Sequence, residues 1–211
     1  MPAAAAAKVK FRSAPRSFDQ AVYGLGHVAD GRHAINAPQV ARILEDTGIR
    51  AIAVHGRTRA QGYSGAADWA VIGDVVAAVS VPVVGNGDLT SGADVARRRA
   101  ETGIAGAMIG RAAMSSPWIF RQVKHYFLTG EHLVSPGLAE KWALIQRHCQ
   151  LAVQEWGCED QAIRSMRARL MAYSKGFPNS KMLREKFQHV ATLAEIDEIA
   201  WQHMAPQGAA V

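Results

Sequence analysis

Residues 81–111 read VPVVGNGDLTSGADVARRRAETGIAGAMIGR. Two apolar runs of strand length each stop at a small polar turn, the first at Asn86-Gly87-Asp88 and the second at Gly110-Arg111, with one helical stretch between them. Gly87 and Gly110 let the backbone approach a ligand where a Cβ would intrude, and Arg111 offers a fork of donors suited to phosphate oxygens. Asn86 donates and accepts in one plane, which suits the edge of a heteroaromatic ring. Either turn alone is an ordinary loop. Together, at one strand-helix-strand interval, they predict a ligand site at consecutive strand ends.

The same alternation repeats outward from this stretch. Val9–Arg12 (VKFR) reads as a short strand, and the helix after it starts at an Asn36 cap with Pro38 in its first turn, turns Val40, Ile43 and Leu44 inward and stops at Gly48. Ile49–His55 reads as a buried strand, followed by a long polar loop and a helix capped by Asp68 that buries Val71, Ile72, Val75 and Val79. The third unit is VPVVGNGD with a helix from Thr90 or Ser91 to Thr102; the fourth is AGAMIGR with a helix from a Ser115-Ser116-Pro117 cap to Thr129.

Apolar strands alternating with helices predict a parallel sheet covered on both faces. The expected fold class is α/β: the C-terminal half of a TIM (β/α)₈ barrel followed by a small all-helical domain. In such barrels the loops after the seventh and eighth strands commonly hold a phosphate. A whole barrel takes about 250 residues, so the chain is expected to be the C-terminal part of a longer protein. An open doubly wound sheet is the structural alternative. Residues 1–130 are the partial barrel on this reading, and 131–211 the helical domain.

From about Ala139 the pattern is helical throughout, with Leu144, Cys149, Leu151, Ala152 and Trp156 marking an apolar face of the first helix. Between Arg164 and Lys186, seven cations (Arg164, Arg167, Arg169, Lys175, Lys181, Arg184, Lys186) meet only Glu185 as an opposing charge. A solvated helix face is the usual meaning of such a run. The net charge of +6 nevertheless favours a polyanionic partner. Hydrophobic residues at 49% and charged residues at 20% fit a soluble globular protein. Cys149 and Cys158 have no companions at metal-ligand spacing, and no disulfide framework or metal is expected. The opening MPAAAAAK lacks the plan of a signal peptide and no run reaches membrane length, so a cytoplasmic location is expected.

VKFR (9–12), VHGRTRAQGYSG (54–65), PVVGNGD (82–88), MIGRAAMSSPWIF (108–120) and MRARLMAYSKGFPNSKMLR (166–184) follow one another in order. In this the sequence resembles the flavin-dependent tRNA-dihydrouridine synthases, in particular their bacterial B-like branch. The resemblance implies reduction of the C5–C6 bond of a uridine in tRNA, with FMN at the strand ends and NADPH as reductant. It places Lys10 and His55 against the flavin, Asn86, Gly87 and Asp88 on its phosphate or ribityl side, and Gly110 with Arg111 on the phosphate. The RNA-contact candidates are Arg57 and Arg59, on a basic loop beside the flavin, and Arg167, Tyr173 and Lys175 in the helical segment. Their bland alternatives are pairing of the loop arginines with neighbouring carboxylates and burial of Tyr173. Trp118 and Phe120 are expected in the core.

Departures from the family's pattern bear on activity. Neither Cys149 nor Cys158 matches the motif of the family's proton-donating cysteine, and the early flavin-contacting segment with its glutamine has no counterpart. Residues 13–34 stand where the family has a short loop, Arg169 where histidine is usual, and Ala172 where tryptophan is frequent. The catalytic half is therefore expected to lie outside this chain. Two other readings stay open: a non-catalytic RNA-binding remnant, which associates with another chain to close its sheet, and a different FMN or sugar-phosphate barrel enzyme.

Overall fold

The computed structural model describes residues 22–25 as backbone, and residues 36–58, 61–62 and 64–205 with their side chains. Its sheet is parallel and four-stranded, in the order β1 (Val22–Leu25), β2 (Ala51–His55), β3 (Val83–Asn86) and β4 (Gly106–Met108). Parallel neighbours need a crossover, supplied by α1 (Ala37–Asp46), α2 (Trp69–Ala78) and α3 (Gly92–Thr102). β1 corrects the sequence reading. The strand beside β2 lies within the stretch expected to be a loop, and Val22 pairs with Ala51 and Leu25 with Val54. Val, Tyr and Leu give this short run adequate strand propensity. Val9–Arg12 lies outside the described residues.

The chain divides into two compact units, Met1–Gly110 with Arg121–His132, and Arg111–Phe120 with Leu133–Val211. The core of the first joins Ile52, Val54 and Val83 of the sheet to Ala41 of α1, Trp69, Ile72 and Val75 of α2 and Val95 of α3. Asp68 caps α2 by accepting from the N–H groups of Ala70 and Val71, and Ser91 caps α3 by accepting from Asp94 N–H. The inward face of α1 is Ala37, Val40, Ala41 and Leu44; Ile43, one residue or about 100° from Leu44, is exposed rather than buried.

The second unit is helical: α4 (Arg111–Ser115), α6 (Leu138–Trp156), α7 (Glu159–Tyr173), α8 (Ser180–Phe187) and α9 (Leu193–Met204), while α5 (Ile119–Thr129) is divided between the units. Trp142, Ile145 and Cys149 of α6 pack with Ile163, Met166 and Leu170 of α7, Leu183 and Phe187 of α8, and Ile196 of α9. The α6 face therefore runs through Trp142, Ile145 and Cys149, and Leu151 and Trp156 are exposed, contrary to expectation. Phe120 is exposed as well, and Trp118 lies partly buried with the Lys141 ammonium 5.3 Å from its ring centre. The helix expected after Ser115-Ser116-Pro117 is α5, which ends at Thr129 as expected, and a further short helix, α4, precedes it from Arg111 to Ser115. No helix among the described residues is long and apolar enough to cross a membrane.

Candidate functional site

The sheet register decides which residues meet. His55 of β2 is paired with Asn86 of β3, and Asn86 with Met108 of β4, so the carboxyl ends of three strands form one row. Within it the Asn86 carbonyl accepts from Gly56 N–H at 3.0 Å and from His55 Nδ1 at 3.2 Å. A carbonyl only accepts, so His55 carries a proton on Nδ1 in this contact, and in the neutral ring Nε2 is the acceptor. The Asn86 side-chain amide donates to the Met108 carbonyl at 2.6 Å, tying β3 to β4. The register thus brings His55, Asn86, Gly87 and Asp88 together. Lys10 and Arg59 lie outside the described residues.

The turn after β3 is held from several sides. Gly87 has φ +143°, and a Cβ there would come within 2.4 Å of the Ala67 Cβ, so glycine is required by packing as well as by backbone conformation. Its carbonyl accepts from the Trp69 indole N–H at 3.1 Å. Asp88 has φ +49°, a left-handed conformation uncommon for a residue with a side chain. One nitrogen of Arg57, Nη2, donates to both Asp88 oxygens at 2.8 and 2.6 Å and to the Gly65 carbonyl at 2.9 Å. Asp88 Oδ2 also accepts from Ala67 N–H at 2.8 Å.

These contacts correct the reading of Arg57 as an exposed RNA contact. Its side chain is 2% exposed and anchored to Asp88, because the loop after β2 folds back over the end of β3. Its Nε and Nη1 are buried with no hydrogen-bond partner among the described residues. A buried donor left unpaired costs about 1–3 kcal/mol. Gly110 differs from Gly87: a Cβ there would lie 4.0 Å from Asn86 Nδ2, an ordinary contact, and no nearer described neighbour demands a glycine. Arg111, the first residue of α4, is exposed.

In the helical unit the RNA candidates separate. Tyr173 is core, 5% exposed, with its hydroxyl 2.8 Å from His148 Nδ1. Burial pushes its pKa up, the neighbouring Cys149 adds to this, and Arg169 opposes it. Arg167 is partly buried and donates through Nε to the Val190 carbonyl at 2.9 Å and through Nη2 to the His189 carbonyl at 3.2 Å, which fastens the link between α8 and α9. The expectation that Tyr173 and Arg167 reach RNA is corrected accordingly. The packing of α7 against α6 buries the tyrosine, and the carbonyls beyond α8 occupy the guanidinium. Lys175 is exposed. Cys149 is buried, which raises its thiol to about 11 with help from Asp197, and Cys158 is exposed. Among the described residues no group of three or more His, Cys, Asp or Glu is placed to hold a metal ion.

The model of the dihydrouridine synthase family matches residues 28–207. The chain belongs to the dihydrouridine synthase family. Among similar proteins, tRNA-dihydrouridine synthase B of Xanthomonas axonopodis pv. citri is 44% identical over 145 residues, which is 69% of this chain and 43% of that protein. The enzyme of the same description from Pseudomonas putida is 41% identical over 152 residues, 72% of this chain and 45% of that one. A probable tRNA-dihydrouridine synthase of Rickettsia conorii is 40% identical over 149 residues, 71% and 45% of the two chains. These matches place it on the bacterial B-like branch of the dihydrouridine synthases. The chain spans about half the length of the curated relatives it matches. The Arg57–Asp88 clamp is the feature of this chain that the sequence leaves undecided. Its only trace there is an arginine and an aspartate at the ends of neighbouring strands.

Proposed function

We propose that this chain carries the C-terminal strand-end portion of an FMN site and the tRNA-holding helices of a tRNA-dihydrouridine synthase, and that its sheet is the second half of a (β/α)₈ barrel. The reaction served is reduction of uridine to dihydrouridine in tRNA with NADPH as reductant. FMN, when bound, supplies the hydride for the C5–C6 bond of the uridine. The observation that carries the reading is the row His55, Asn86 and Met108 with the clamped Gly87-Asp88 turn beside it.

The donor set fits the group. The Asn86 and Gly87 carbonyls are both engaged within the protein, and a planar trans peptide sends the N–H of Gly87 and of Asp88 to the opposite side. Two successive amides then serve acceptors on a phosphate, ribityl chain or ring edge. Gly110, whose neighbours leave space for a Cβ, suits close approach of a ligand, and Arg111 opening α4 supplies a guanidinium to phosphate oxygens. His55 contributes an imidazole edge whose tautomer is set by the Asn86 carbonyl. Lys10 would place a cation by the reduced ring's negative charge. Titration of the 211-residue chain with FMN, followed by quenching of flavin fluorescence and by the visible absorption band, should show saturable binding. Failure to saturate would remove the flavin reading.

RNA contact falls to the exposed cations, Lys175 first and then Arg169. Lys175→Glu should weaken tRNA binding across sequences and flatten the slope of log affinity against log salt by about one. Arg167→Glu should instead loosen the helical unit itself, through the carbonyls of His189 and Val190. A salt titration of the Lys175→Glu variant identical to wild type would take the RNA interface away from this surface.

A further inference from the structure

We propose that Arg57 is a positioning residue for the cofactor-binding turn: acting through Asp88, it fixes the direction in which the Gly87 and Asp88 amides face. The inference rests on the flavin reading above. Three observations lead to it. Asp88 sits at φ +49° beside Gly87 at φ +143°, so two consecutive residues have positive φ and the turn needs external restraint. The restraint is concentrated on one carboxylate, which accepts from Arg57 Nη2 through both oxygens and from Ala67 N–H through one. Arg57 is itself tethered to the Gly65 carbonyl, so the loop after β2 and the turn after β3 are fixed to each other.

Stability gives a poor account of this arrangement. Arg57 is buried with two nitrogens unpartnered among the described residues, and a buried ion pair with incomplete hydrogen bonding is often no better for stability than apolar packing. Orientation accounts for it better. With Asp88 pinned, the Gly87 carbonyl keeps its bond to the Trp69 indole N–H and the next amide must face the other way. Without Arg57, both carboxylate oxygens lose the guanidinium and the tie to the Gly65 carbonyl goes with it, so the turn gains freedom to rotate. Arg57 touches neither substrate nor cofactor in this scheme; it acts through Asp88.

The test compares Arg57→Ala, Arg57→Lys, Asp88→Asn and the double variant Arg57→Ala/Asp88→Asn in the 211-residue chain. The readouts are FMN affinity, and amide hydrogen exchange at residues 66–69 and 86–89 without FMN. Arg57→Ala should weaken FMN binding by about tenfold, the worth of one charge-assisted hydrogen bond, and should speed exchange at Ala67. Arg57→Lys should recover part of both effects. The double variant should be no worse than the stronger single one, because both changes remove the same link. Should Arg57→Ala fail to fold, Arg57→Lys and Asp88→Asn carry the comparison. FMN affinity within twofold of wild type in Arg57→Ala, or additive losses in the double variant, would overturn the proposal. If wild type itself does not bind FMN, the flavin reading falls and exchange decides alone. Faster exchange in Arg57→Ala then leaves Arg57 as the organiser of the turn, and unchanged exchange removes that role too.

Discussion

The strand-end turn of the α/β unit and the aromatic centre of the helical unit both bury polar groups, and they treat them in opposite ways. In the helical unit the indole N–H of Trp142 donates to His203 Nδ1 at 3.0 Å, and His203 Nε2 donates to the Pro178 carbonyl at 2.8 Å. That pattern fixes a neutral imidazole with its proton on Nε2, stacked on Phe177 at 5.8 Å between ring centres. Both of these donors find an acceptor. At the turn after β3, Arg57 concentrates its hydrogen bonds on one nitrogen and keeps two others buried with no partner among the described residues. A satisfied polar cluster contributes to one well-defined packing arrangement, whereas an unsatisfied one beside strained backbone marks a place shaped for something other than stability.

The comparison breaks most readily at Trp142, which is fully buried and contacts Phe177, Phe187 and His203 edge-on or tilted. Trp142→Ala should cost about 3–5 kcal/mol, the usual range for emptying such a site. Loss of near-ultraviolet dichroism at a lower denaturant midpoint would register it. His203→Ala leaves the indole N–H without its acceptor and should cost about 1–3 kcal/mol. A His203→Ala variant as stable as wild type would mean that the helical unit is no better satisfied than the turn, and the contrast would lose its meaning.

Much of this was legible in the sequence where period and turn chemistry agree. Asp68 and Ser91 announce α2 and α3 by capping, and VPVVGNGD ends its strand at the turn where the structure ends it. The strand beside β2 is not legible as such, because Val22–Leu25 is a short run inside a stretch read as a loop and only its pairing with β2 marks it. On α6, a face drawn through Leu144 does not contain Trp142. Leu144 and Trp142 differ by two residues, about 200° around the helix. In the site, residue identity gave His55, Asn86, Gly87 and Asp88 as neighbours through strand order. It could not say that Arg57 turns inward or that Tyr173 is core, since charge and hydroxyl are the same whether a group faces solvent or a partner. Both answers depend on which loop folds over which strand, and on which helix lies opposite.

The smallest effect expected is also the one that distinguishes the two regions without mutating the aromatic centre. His148 of α6 is half-buried and hydrogen-bonded through Nδ1 to the Tyr173 hydroxyl of α7, their rings edge to face. Burial, and then the Arg169 guanidinium, hold its pKa below the ordinary value of about 6.5. A phenol donating to a neutral imidazole satisfies both groups; a proton on Nδ1 would displace that donor. In the unfolded chain the imidazole takes up a proton as pH falls through its ordinary value, while in the folded unit it resists until lower pH. Between those two points the unfolded state holds more protons, so stability falls as the solution is acidified and levels off below the folded pKa. Glu195, held below its ordinary range by the N–H groups of Ala191 and Thr192, adds to the acid loss only at lower pH still. Denaturant midpoints of the helical unit should therefore decline from about pH 7 toward pH 5 in wild type. In His148→Gln they should stay nearly flat over that interval, since the replacement amide can still meet the Tyr173 hydroxyl and has no charge to gain. An equal decline in both proteins would assign the acid sensitivity elsewhere, and the helical unit would then contain a polar partner less well satisfied than this pair.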